Sequence, residues 1–410
     1  MINQIRKIFR KSKFILYAQV IDKIFFFFLF LIIARTLTTD DYGKIIIIFS
    51  ISNILLTIMQ FGLPVYFQRQ TANEKKINRT EFNISIIYGL ASFVLSLVAI
   101  LFVISIFYNI KQYLIVILIH SFVFSFYFIS LFNSFLLGLN EQRVQVKSYG
   151  ISRIISVSLI ILILFFIKNV NFYIAICSVG NAIIIYILYK FIVNRFIMKG
   201  GKNVISFVQI KHLIFLAMPL GIAAISNFLY DKIDVILISG IIDIEHVAYY
   251  NIAYGIYKAS QISFSFILVA GYSRISSLSK SNYAVKLFLK KYFITILILS
   301  ALIFVILAIF SKSIIVLLYG EKYYSSILIL QLLSLAVIPL ALNNLTGITL
   351  NGLGMFRENL KVMISALFIN ILANIILLNT LGILGAVYAT LITEVYILVM
   401  GIIYLRLKLS

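Results

Sequence analysis

Phe14–Ala34, FILYAQVIDKIFFFFLFLIIA, is the stretch on which the fold class turns. As a helix it crosses a ~30 Å hydrocarbon core. Asp22-Lys23 then lies about halfway along, ~12 Å from the start at the helical rise. The run does not alternate polar and apolar residues, as a ~10-residue strand of a closed barrel would. Charges at membrane depth cost a few kcal/mol or more each, and by default they mark a pathway rather than packing. The triplet Asp22-Lys23-Ile24 returns as Asp231-Lys232-Ile233, 209 residues further on in a chain of 410. Each half of the chain carries one copy, the pattern of a duplicated carrier with a site between its halves.

Apolar runs of similar length recur along the whole chain. Hydrophobic residues make up 62% of it, against ~45–50% in a soluble domain, and no polar stretch is long enough for a separate catalytic head. The expected class is an all-α polytopic membrane protein of about twelve spans. They fall at 14–34, 42–62, 83–107, 113–137, 148–167 and 172–193, then 213–241, 247–271, 288–311, 325–350, 359–379 and 383–405. Six spans per half give two parallel repeats: an N-terminal lobe over 1–193, a cytoplasmic linker over 194–210 and a C-terminal lobe over 211–410.

Basic residues set the orientation. Arg6, Lys7, Arg10, Lys11 and Lys13 precede the first span, which has neither the short core nor the cleavage site of a signal peptide and reads as retained. With those five, one side of the expected membrane collects twenty-five of the 35 Lys and Arg, the other side six. This positive-inside excess places both termini in the cytoplasm. It also accounts for the net charge of +22 without nucleic acid as a partner. Cys177, the single cysteine, can form no intrachain disulfide and reads as a small buried residue.

The halves agree beyond the triplet. Gly138-Leu139 followed by Arg143 matches Gly352-Leu353 followed by Arg357. Arg35-Thr36-Leu37-Thr38-Thr39-Asp40-Asp41-Tyr42-Gly43, Gly62-Leu63-Pro64, Leu318-Tyr319-Gly320 with Tyr323, and Gly382-Ile383-Leu384-Gly385-Ala386 follow in order. In these motifs the chain resembles the polysaccharide (O-antigen repeat-unit) flippases of the multidrug/oligosaccharidyl-lipid/polysaccharide exporter superfamily. Ala248-Tyr249-Tyr250 departs from that pattern, where Gly-Tyr is usual.

The resemblance implies a two-lobed, V-shaped bundle like that of the superfamily's multidrug exporters. It implies a multi-pass protein of the bacterial cytoplasmic membrane that carries a polyprenyl-pyrophosphate-linked oligosaccharide from the inner to the outer leaflet by alternating access, for O-antigen, capsule or exopolysaccharide. Its partners would be membrane lipids, that lipid-linked substrate and other polysaccharide assembly proteins. An ion-coupled multidrug exporter of the same superfamily is the competing reading. A membrane polysaccharide polymerase is a third, but the short outer loops leave no room for catalytic groups. No enzyme, metal or cofactor motif is visible.

Lys23, Lys232 and Lys258 are the candidate cationic partners of a pyrophosphate. Asp22, Arg35 and Arg153 join them as pathway candidates. Arg153 could instead snorkel to headgroups, Asp22 could belong to an interhelical ion pair, and Arg35 could simply shape its hairpin. Asp231 and Asp234, at i, i+3 on one helical face, are candidates for coupling to a proton or sodium gradient, as is Glu394. Salt bridges to Lys232 or Lys258, or direct substrate contact, are the other readings of the two aspartates. His120 reads as a packing residue. Pro219 and Pro339 are candidate hinges, because proline removes a helical hydrogen bond. A reporter active only in the cytoplasm should be active when fused after Lys202 or at Ser410 and silent at Asp243; activity at Asp243 inverts this orientation.

Overall fold

In a chain this apolar the backbone must satisfy its own hydrogen bonds within each segment. The computed structural model is accordingly helical, with no strand among the described residues. These are residues 2–108, 110, 112–164, 169–197, 207–264, 267–268, 275 and 281–409. The helices are α1 (Ile2–Thr36), α2 (Thr39–Gln60), α3 (Leu63–Glu74), α4 (Arg79–Val103, continued by a π turn over Ile104–Tyr108), α5 (Tyr113–Leu139), α6 (Gln142–Leu164) and α7 (Val170–Phe196). Then come α8 (Phe207–Ile241), α9 (Ile244–Ala259), α10 (Asn282–Tyr319), α11 (Ser326–Ser334), α12 (Val337–Gly352), α13 (Phe356–Leu381) and α14 (Ile383–Leu409).

Among the described residues, eight helices are long and apolar enough to cross a membrane, or ten if each of two bent pairs counts as one span. The expected first span lies within α1, and the expected eighth begins with α9 and runs partly outside the described residues. Lys199–Asn203 of the expected linker, together with Lys111, Lys168, Arg274 and Lys280, also lie outside them.

Local chemistry sets the helix ends. Asn78 accepts hydrogen bonds from the Thr80 and Glu81 amides, and Asp243 accepts one from the His246 amide at 2.8 Å, each satisfying first-turn donors. Gly62, at φ +75°, turns the chain so that Pro64 can sit in the first turn of α3. This α3 was expected as a loop. It is helical because Leu63, Phe67 and Thr71 recur at i, i+4 and are buried, Phe67 lying 5.0 Å from the Phe135 ring of α5.

The expected span 325–350 is broken between α11 and α12 by a 48° bend. The break has a local cause. Pro339 has no N–H for the Leu335 carbonyl, and its ring crowds that group. Leu335 and Ala336 donate instead to Leu332 and Leu333, three residues back.

The chain divides into two compact units, one of residues 1–36 with 48–225, the other of 37–47 with 226–410. Residues 37–47 thus belong with the second unit, and contacts inside that unit hold them. Thr39 Oγ1 donates to Glu245 Oε1 at 2.7 Å, Asn251 Nδ2 donates to the Tyr42 hydroxyl at 3.2 Å, and Lys322 donates to the Leu37 carbonyl. Gly43 passes so close to α9 that a Cβ would lie 2.1 Å from the Ile244 carbonyl oxygen. The hydrogen bonds from Tyr249 and Thr39 hold the Glu245 carboxyl below its ordinary range.

Gly385, at the start of α14, meets the Leu377 backbone of α13, where a Cβ would come within 2.2 Å. Gly385→Ala should therefore force the two helices apart at a cost of ~1–3 kcal/mol. Gly240→Ala, in a helix with nothing within 4 Å, should be neutral or stabilising by up to ~1 kcal/mol. Thermal melts of the two purified variants check this, and equal melting points contradict it.

Candidate functional site

The second unit gathers charge around one face of α9. Tyr250, Tyr254 and Tyr257 repeat at i, i+4, i+7, with Lys258 next to the last. α8 brings Tyr230, Asp231, Lys232 and Asp234; α12 brings Asn343, α13 brings Asn370 and Asn374, and α14 brings Thr390 and Glu394.

The three carboxylates have different surroundings. Asp231 takes both cations: Lys258 Nζ lies 3.0 Å from Oδ1 and Lys232 Nζ 3.5 Å from Oδ2, while the Tyr254 hydroxyl donates to Oδ1 at 3.0 Å. The Lys258 ammonium also faces the rings of Tyr254, Tyr230 and Tyr257 at 5.3, 5.7 and 6.0 Å, a cation–π setting. Asp234 meets neutral donors: Tyr250 at 2.6 Å, Asn374 Nδ2 at 2.8 Å and, more weakly, Thr390 at 3.4 Å. Asn374 also donates to Asn370 Oδ1 at 3.2 Å, and its own Oδ1 accepts no hydrogen bond among the described residues. Glu394 likewise has neutral partners. Tyr230 and Tyr257 donate to Oε1 at 3.0 and 3.2 Å, and Asn343 Nδ2 donates to Oε2 at 2.6 Å.

Exposure follows the same division. The side chains of Asp231, Lys232 and Lys258 are 35, 29 and 21% exposed, whereas Asp234 and Glu394 are each 2% exposed. The cluster therefore opens on the side of the Lys–Asp–Lys triad. Three acids face two ammoniums, and the two sealed acids are the ones without a cation.

The first unit holds a smaller cluster. Arg153 of α6 is 2% exposed and does not snorkel to an edge. Its Nε donates to Asp22 Oδ1 at 2.9 Å, and Nη2 lies 2.8 Å from the same oxygen at an angle that makes no hydrogen bond. Nη1 donates to Asn181 Oδ1 at 2.6 Å, and Asn181 Nδ2 in turn donates to Ser125 Oγ at 2.6 Å. The guanidinium lies 4.2 Å from the Phe25 ring centroid. Asp22, Phe25 and Arg153 thus join α1 to α6. Burial strips Arg153 of water, and the carboxylate, amide and ring compensate it.

The polysaccharide biosynthesis protein family matches residues 8–279. The chain belongs to that family. No curated protein sequence matches it. Among solved structures, the inward-closed conformation of the lipid II flippase MurJ is similar over 96% of this chain and 87% of its own, at 16% identity and a TM-score of 0.77. An inward-facing multidrug-resistance MATE transporter of the MOP superfamily is similar over 94% of both chains, at 14% identity and a TM-score of 0.76. An outward-facing MATE transporter reaches 0.72 at 13% identity, over 98% of this chain and 95% of its own. The chain thus has the helical fold of MOP-superfamily transporters and is a multi-pass membrane protein.

For this family member the structure brings Asp231, Lys232 and Lys258 together in one cluster with Asp234 and Glu394. The two aspartates do not share partners. Asp22 and Arg153 meet in the other unit, as an interhelical ion pair. Lys23 is exposed on α1, with no ion pair among the described residues. Arg35 is exposed in the last turn of α1, Pro219 lies inside α8, and Pro339 follows the α11–α12 break. His120 is buried between Ser96 and Ser52 and stacks on Phe93, in a packing role.

The tyrosines of α9 and the asparagines Asn181, Asn343, Asn370 and Asn374 were not among the sequence candidates. The period of 250, 254 and 257 was the available signal. If Asp22 and Arg153 form one buried pair, Asp22→Asn and Arg153→Met should each cost ~3–5 kcal/mol, and the double variant should recover most of the loss. Thermal melts in one detergent measure this cycle, and additive losses would show that the two act separately.

Proposed function

We propose that the protein flips a polyprenyl-pyrophosphate-linked oligosaccharide repeat unit from the cytoplasmic to the outer leaflet of a bacterial cytoplasmic membrane, by alternating access. The cargo would serve O-antigen, capsule or exopolysaccharide synthesis alongside other assembly proteins. The observation that carries this reading is the open Lys232–Asp231–Lys258 triad, two ammoniums on one carboxylate in a member of a polysaccharide biosynthesis family. A diphosphate bridged by two ammoniums forms charge-assisted hydrogen bonds that gain strength away from bulk water. Lys23, exposed on α1 in the first unit, is a candidate cargo contact in its own right. The likeness in fold to a lipid II flippase supports the same class of cargo.

Ion coupling belongs to the sealed acids. Asp234, Asn370, Asn374 and Thr390 form an oxygen-rich set suited to a proton or a sodium ion carried as counter-cargo, with Glu394 as the second candidate. The likeness in fold to MATE transporters favours a second reading, an ion-coupled multidrug exporter. Lysines at the open face disfavour it, because they repel cationic drugs.

Cells lacking the gene, complemented with wild type, should export surface polysaccharide. Lys23→Ala and Lys232→Ala should not restore export, and the Lys→Arg variants should restore part of it. In liposomes, Asp234→Asn should remove gradient-driven flipping of the lipid-linked substrate while leaving it able to bind. Alanine variants fully active at normal abundance contradict the cargo reading, and an unchanged gradient response in Asp234→Asn removes Asp234 from coupling.

A further inference from the structure

Asp231 holds both ammoniums, one on each oxygen, with Lys258 at 3.0 Å and Lys232 at 3.5 Å. One negative charge is thereby shared between two positive ones, at the open side of the cluster. Among the described residues neither lysine forms an ion pair with a second carboxylate. Asp234 and Glu394 are buried and satisfied by Tyr, Asn and Thr donors. The groups facing Asp231 are Tyr230, Lys232 and Asp234 on α8 and Tyr250, Tyr254 and Lys258 on α9. Of these, only the two lysines are cationic, and both lie on its carboxylate.

We propose that Asp231 is a tethered stand-in for the diphosphate of the cargo: it occupies the two ammoniums when the carrier is empty and is displaced from them when cargo binds. This rests on the lysine-mediated cargo reading above. A diphosphate offers the same paired anionic oxygens with more charge, so it can take both ammoniums from the carboxylate. The carboxylate is nevertheless always at hand, at the effective concentration of a tethered group. It therefore weakens cargo binding and promotes release. It also spares the empty carrier an uncompensated pair of lysines at membrane depth. Tyr254 holds Asp231 in place by its 3.0 Å hydrogen bond, so Asp231 is a positioning residue for the lysines rather than a cargo contact.

The test uses the full-length protein purified in detergent, with farnesyl diphosphate and inorganic pyrophosphate as probes and calorimetric Kd as the readout. Asp231→Asn keeps the size of the side chain and removes its charge, so it should bind farnesyl diphosphate about tenfold more tightly. Asp231→Glu should bind like wild type. In liposomes Asp231→Asn should flip lipid-linked substrate more slowly despite its tighter binding. A Lys258→Gln change in the Asp231→Asn background should abolish the gain. If Asp231→Asn does not fold, Asp231→Ser reads the same quantity.

Wild-type or weaker binding by the charge-removing variants, with Lys258→Gln still lowering affinity, overturns the stand-in role and leaves the cargo reading intact. If Lys232→Gln and Lys258→Gln both bind the probes like wild type, the cargo reading itself fails. A gain with inorganic pyrophosphate but none with farnesyl diphosphate shows that the site does not admit a lipid-linked diphosphate, and it too overturns the proposal.

Discussion

A charge inside an apolar bundle must find a partner, because hydrocarbon supplies none. This constraint organises both units. In the first, Arg153 is enclosed by Asp22, Asn181 and the face of Phe25, so the charge is compensated within the protein and the pair joins α1 to α6. In the second, six hydroxyl and amide groups close over Asp234 and Glu394, and both lysines go to Asp231. The first arrangement is neutral, with its guanidinium buried. The second is partly open and carries its cations on the open side.

The helical frame sets those distances. Side chains on α9 reach α8 and α14 as a set because tyrosines at i, i+4, i+7 share one face. Their rings also stack on one another, Tyr250 on Tyr254 at 5.4 Å and Tyr254 near Tyr257 at 5.6 Å. Aromatic packing of this kind fixes the hydroxyls with few rotatable bonds, so each meets its carboxylate at hydrogen-bonding distance. Glycine serves the same end where backbones must touch, as at Gly385 against Leu377 and Gly43 against Ile244.

Much of this was legible in the sequence. Long apolar runs gave the helical membrane class, and the paired Asp-Lys-Ile triplets marked the two helices that carry charge. Partners were harder to read, because pairing in a bundle is not local. Arg153 is 131 residues from Asp22, and nothing near either position announces the other. The i, i+3 spacing of Asp231 and Asp234 leaves a shared ion site, salt bridges to Lys232 or Lys258 and substrate contact all open. A helical face is wide enough for neighbours on it to meet different helices, and here one meets lysines and the other asparagine and tyrosine. The α9 tyrosines had a readable period, but tyrosine is common throughout this chain, and in α9 the period alone did not separate a cage from a belt. The α3 helix was obscured by its basic residues, Arg69 and Lys75, which lie among or just beyond the apolar positions that bury it. The α11–α12 break was visible only as Pro339, and the bend falls four residues earlier, where the proline ring meets the preceding turn.

A carrier must also release what it binds, and this bears on the composition of the open cluster. Two bare ammoniums facing one another at low dielectric would repel strongly and hold any diphosphate too well. Two ammoniums with a full complement of carboxylates would bind no anion. Lys232, Lys258 and Asp231 lie between these limits, with one net positive charge among three partly exposed side chains. Moving Asp234 or Glu394 to the open side would cancel that charge, so their enclosure by neutral donors is what keeps the triad cationic. The same enclosure leaves both sealed acids without an ion pair among the described residues. One set of tyrosines therefore serves both separations: Tyr254 stays with the open acid, while Tyr230, Tyr250 and Tyr257 hold the sealed ones.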